Sequence, residues 1–92
     1  MTRHCRVVVH GTVQGVGFRY SAREAARDAG VGGWVRNRRD GTVEAELHGP
    51  DAAVDRMLAW LAEGPATAAV SRIEVTEAPA ASAPGFDLLP TA

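Results

Sequence analysis

Two alternating apolar–polar segments joined at Asp40-Gly41 constrain this chain more than any other feature. After the turn, Val43, Ala45 and Leu47 fall on one face of an extended strand over Thr42 to His48, with Glu44, Glu46 and His48 on the other. Before it, Gly33 to Arg38 sets Trp34 and Arg36 opposite Val35 and Asn37 in direction. Glycine adopts positive φ at little steric cost, so Asp-Gly between two strands predicts a tight hairpin. One face of such a hairpin is apolar and must be covered by a second layer.

The remaining segments supply that layer. Cys5 to His10 predicts a first strand, with Cys5, Val7 and Val9 on one face; Gly11 and Thr12 are expected to break it, apart from a brief continuation at Val13. Phe18 to Ala29 predicts a helix, because Ala22, Ala25, Ala26 and Ala29 recur at helical spacing opposite Arg23, Glu24, Arg27 and Asp28. Gly30 is a left-handed stop. Gly49-Pro50-Asp51 opens a second helix, with Asp51 as the expected cap; Val54, Met57, Leu58 and Leu61 form its stripe, Trp60 flanks it, and Gly64-Pro65 ends it. Val70 to Glu77 predicts a fourth strand with Ile73 and Val75 in the core. Ala78 to Gly85 reads as a surface connection, and Phe86 to Leu89 as a short terminal strand. The expected fold is α+β: a ferredoxin-like βαββαβ sandwich over residues 1–92, one domain, with both helices on one face of an antiparallel sheet. That fold hosts many functions and selects none.

Charge narrows the field. The formal net charge is -1, which argues against bulk electrostatic binding of nucleic acid or an acidic membrane. All 10 basic residues are arginines, so lysine-based Schiff chemistry and a Walker-type lysine are excluded. Trp34 and Trp60 lack the spaced aromatic partners of an RNA-binding sheet. Cys5, the single cysteine, sits in an alternating apolar run and reads as a buried structural thiol. His4, His10 and His48 match no metal-ligand spacing and read as strand-surface residues, and Glu44 and Glu46 as the polar sheet face. With no leader and no membrane-spanning stretch in the sequence, the expected location is the cytoplasm, and the expected state a monomer.

The segment between first strand and first helix carries the chemistry. Glycines at 15 and 17 let successive peptide N–H groups turn inward as an anion nest, and the helix that follows adds its positive end and free N–H groups. Arg19, in the first helical turn, can set its planar fork over the same pocket. By itself Gly-x-Gly is weak, since many strand-to-helix turns need glycine for steric reasons alone. The loop is neither a Walker A motif nor GxGxxG.

Val13-Gln14-Gly15-Val16-Gly17-Phe18-Arg19 resembles, without a gap, the signature of the acylphosphatases. Gly33-Trp34-Val35-Arg36-Asn37, followed by Asp40-Gly41-Thr42-Val43-Glu44, resembles that family's second signature. The resemblance implies a catalytic, phosphate-binding Arg19 and a catalytic Asn37 that positions the attacking water. It implies a substrate cradle built from Gln14, Gly15, Val16, Gly17, Phe18 and Arg19, filled by the phosphate of a small acyl phosphate, or by inorganic phosphate or sulfate. It implies no metal and no organic cofactor; the balanced charge already argues against a nucleic-acid or membrane partner. Ser21 departs from the family's usual large apolar residue, which implies looser packing of the first helix. Two other readings stay open: a non-catalytic module that recognises a phosphorylated ligand, and a domain of the kind found in larger hydrogenase-maturation proteins.

Overall fold

Val43, Ala45 and Leu47 lie fully buried, on the central strand of the sheet. The computed structural model describes residues 2–78 and 85–92. Its elements are β1 (Thr2–Thr12), α1 (Phe18–Ala29), β2 (Gly32–Asn37), β3 (Val43–Pro50), α2 (Asp51–Glu63), β4 (Ala69–Glu77) and β5 (Phe86–Leu88). Most of the expected Ala78–Gly85 connection falls outside the described residues. The strands are ordered β4-β1-β3-β2-β5, the ferredoxin-like arrangement with one strand added. β1 pairs antiparallel with β3 and β4, and β2 antiparallel with β3. β5 pairs parallel with β2, so the expectation of an antiparallel sheet fails at that edge. The reason is topological: β5 returns beside β2 running in the same direction.

One face of the sheet makes the core. Cys5, Val7, Val9, Val35, Val43, Ala45 and Leu47 meet Phe18, Ala22 and Ala26 of α1, and Ala53, Val54, Met57 and Leu61 of α2. Small alanines let α1 approach the sheet closely, and larger Met57 and Leu61 fill the space under α2. Burial pushes the Cys5 thiol pKa up, which keeps the group protonated and inert, in agreement with a structural role.

Three local expectations are corrected. β1 continues through Gly11 and Thr12 with a register shift between His10 and Gly11, so the glycine faces a bulge at Ser71 of β4 rather than marking a break. Asp51 is the first residue of α2 and makes no capping bond; β3 runs straight into Pro50, which occupies the cap position. Val75 pairs with Val7 yet is 41% exposed, because β4 is an edge strand at the margin of the helical layer, whereas Ile73, partly buried, packs against the core as expected.

The other sheet face is a charge lattice. Glu44 is 6% exposed; it accepts a bond from Arg36 Nε at 2.8 Å and lies 3.7 Å from Arg6 Nε. Glu46 lies 2.8 Å from His4 Nε2, and Arg36 stacks on Trp34 at 4.8 Å. His4 is therefore a buried partner of a carboxylate, not the surface residue expected. Neighbouring strands alternate in sign, so the buried carboxylate is paired rather than stranded.

Leu47→Ala should cost about 2–5 kcal/mol in denaturant unfolding, because it opens a cavity at the centre of the sheet. A loss below about 1 kcal/mol would show that the core does not depend on this strand.

Candidate active site

Two strand ends define the site. β1 and β2 both run antiparallel to β3, so they point the same way and end on the same side of the sheet. Val9 and Asn37 both pair with Val43 and therefore stand level on either side of it. Two interstrand spacings put their backbones about 10 Å apart. β1 leads into the glycine loop, and β2 ends at Asn37.

The loop has the form of a nest. Gly15 and Gly17 take positive φ of 73° and 75°, and Val16 between them does not. No atom lies within 4 Å of where a Cβ would sit at either glycine, so their positive φ, rather than crowding, calls for glycine. Gly17 is also the N-cap of α1; it makes no side-chain capping bond, and the first turn holds no acidic residue. The helix therefore presents free N–H groups and an uncompensated positive end to an anion.

The loop's other side chains face the protein. Phe18 is buried edge-on against Trp60 at 5.5 Å, and Val16 packs against the core. The Gln14 amide nitrogen donates to the carbonyls of Arg38 and Thr42 at 2.6 and 2.9 Å. Thr67 Oγ1 donates to the Val16 carbonyl at 2.7 Å, supporting the loop from its other flank. Thr67 carried no signal in the sequence, because its partner is 51 residues away. Of the expected cradle, only backbone groups and Arg19 remain to meet a ligand.

Arg19 Nη1 lies 3.4 Å from the Leu89 carbonyl and forms no ion pair among the described residues. The backbone beyond β5 is bound along β2, with Leu89 N–H donating to Val35 and Ala92 N–H to Asn37. Arg19 thus reaches the strip of chain that flanks Asn37. The Asn37 side chain has no hydrogen-bond partner among the described residues and is only partly buried, so its amide is available to a water.

The hairpin behind Asn37 is stiff. Arg38 N–H donates to the Thr42 carbonyl at 2.9 Å, and Gly41 N–H to the Arg38 carbonyl at 3.1 Å. Asp40 Oδ1 accepts from the Thr42 N–H at 3.0 Å and its hydroxyl at 2.6 Å. These bonds, led by the hydroxyl, hold the Asp40 pKa below its ordinary value. Of the arginines around Asn37, Arg36 is paired with Glu44 and Arg38 lies 3.8 Å from Asp40, while Arg39 forms no ion pair among the described residues. His10 lies 2.6 Å from Glu74 on the edge strand. A groove of about 520 Å³ runs between α1 and α2, but none of residues Gln14 to Arg19 lines it, so it is separate from the candidate site at the strand ends.

The acylphosphatase family profile matches residues 5–88. The chain belongs to the acylphosphatase family. As a member it is a hydrolase of acyl phosphates. An acylphosphatase from Acidovorax sp. (strain JS42) is 56% identical over 87 residues, spanning 95% of this chain and 88% of the relative. The solved acylphosphatase from Coxiella burnetii superposes with a TM-score of 0.92 at 35% identity, covering 96% of this chain and 93% of that one. That from Bacillus subtilis gives 0.90 at 36%, covering 97% and 99%.

Because the folded Asp40 pKa lies below its unfolded value, the stabilisation by its Thr42 bonds is present at neutral pH and is lost as pH falls through the folded value. Asp40→Ala should therefore be less stable than the parent near neutrality, with the gap closing at pH below the ordinary carboxylate range. Unfolding curves across that range test this; a gap independent of pH would contradict it.

Proposed function

We propose that Arg19 and the backbone of residues Gln14 to Arg19 bind the transferred phosphoryl group, and that Asn37 positions the water that attacks it. The observation that supports this best is one arrangement: an arginine without an ion-pair partner among the described residues, in the uncapped first turn of α1, behind a Gly15/Gly17 nest. Asn37 is level with the strand that feeds that nest.

Few groups are needed because the substrate is a mixed anhydride. Its leaving carboxylate has a conjugate-acid pKa of about 4, so it departs without a general acid. Charge spreads over the equatorial phosphoryl oxygens in the transition state, where the nest N–H groups and the Arg19 fork can meet it. Asn37 can accept from the water through its carbonyl and donate through its amide. It cannot take the water's proton at neutral pH; in this reading that proton passes late to a phosphoryl oxygen. The reaction uses no metal or organic cofactor, and inorganic phosphate, the product, or sulfate occupies the same cradle. The working form is a cytoplasmic monomer that meets only small acyl phosphates, not nucleic acid or membrane.

Hydrolysis of a simple acyl phosphate in excess chelator tests these roles. Arg19→Lys keeps the charge but loses the fork, and kcat/KM should fall by about a hundredfold or more with the fold intact. Asn37→Ala should lower kcat by about a hundredfold while inorganic phosphate still competes at its parental concentration. Near-parental turnover by either variant, or abolition of the parent's activity by chelator, would contradict the assignment.

A further inference from the structure

The Gln14 side chain joins the two motifs of the site. It is partly buried, and its one nitrogen donates both hydrogens, to the carbonyls of Arg38 and Thr42, across 24 and 28 residues of chain. Both acceptors are backbone carbonyls, so only the nitrogen of the amide can face them. They are also the two residues that close the hairpin, since Arg38 N–H donates to the Thr42 carbonyl. Arg38 follows Asn37 directly. On its other side Gln14 precedes Gly15, where the nest begins. The adjacent Val13 is fully buried, and Thr67 holds Val16, so the loop cannot shift as a whole without breaking these contacts.

We propose that Gln14 is a positioning residue: its amide latches the phosphate loop to the Asn37 hairpin and so sets the distance between phosphoryl group and attacking water. This rests on the assignment of Arg19 and Asn37 above. The side chain points away from the cradle, and its role is separate from phosphate affinity. Loss of the latch leaves the nest and Arg19 intact but frees Asn37 to drift, and a displacement of about 1 Å is enough to cost a hundredfold in rate.

Gln14→Glu and Gln14→Met separate this role from a purely structural one. Glutamate keeps the shape, but its carboxylate faces two carbonyl oxygens and cannot donate; once protonated it donates to one of them. Methionine keeps the length and never donates. Rates on an acyl phosphate are taken as a ratio to the parent at each pH, with inorganic phosphate inhibition and thermal unfolding measured on the same samples. At neutral pH both variants should show kcat lowered about tenfold or more, with the inhibition constant for phosphate changed less than about threefold. As pH falls, Gln14→Glu should regain activity relative to the parent, and Gln14→Met should not. Parental kcat in both folded variants would overturn the latch. So would a loss confined to phosphate affinity, which would place the side chain on the ligand. If Gln14→Met fails to fold, Gln14→Glu decides: a folded variant whose relative rate is independent of pH overturns the proposal. Failure of the underlying assignment is distinguishable, since Arg19→Lys and Asn37→Ala would then retain activity whatever Gln14 does.

Discussion

Val43 pairs with Val9 on one side and Asn37 on the other, and this three-strand register underlies the geometry of the site. It sets the end of β1, and with it the glycine loop, level with the end of β2. The register is held by burial: Val9, Val35, Val43, Ala45 and Leu47 share the face beneath the helices. A slip by one residue would turn that whole set toward the charge lattice on the opposite face. The lattice opposes such a slip as well, because Glu44 lies between Arg6 and Arg36 only in the observed pairing.

In the proposed mechanism, catalysis on this scaffold depends on position more than on reactive groups. A carboxylate leaves readily, so the residues need only gather charge and orient water. The uncapped first turn of α1 would be a defect in an ordinary helix; here it keeps N–H groups available. The same holds for Arg19: the arginines on the sheet face carboxylates, whereas Arg19 on α1 faces a carbonyl at 3.4 Å and has no ion-pair partner among the described residues. The side chains of Val16, Phe18 and Gln14 fix the loop from behind, so that its backbone can face the ligand.

Features set by local periodicity were legible in the sequence. The bounds of α1, the glycine turn at Gly41 and the buried faces of β1 and β3 follow from spacing and φ preference alone. What depends on distant partners was not. The register shift opposite Gly11, where Ser71 of β4 is the extra residue, arises from strand pairing. Val75 has the alternation of a core residue but lies at an edge, and alternation does not record which strand is last. His4 is buried, with Glu46 of the neighbouring strand 42 residues away as its partner. At the site, Arg19, Asn37 and the glycines stood out as motif residues, while Thr67 and the double bond of Gln14 emerged only from tertiary contacts.

The most direct test of where the phosphoryl group sits is titration of the folded protein with inorganic phosphate, followed through its backbone amide resonances. In the proposed reading the nest holds the anion against the N–H groups of Gly15 to Arg19, so those signals should move first and furthest, with a smaller response at Asn37. Movement confined to the groove between α1 and α2, or to the Arg36–Arg39 stretch without the loop, would contradict the account.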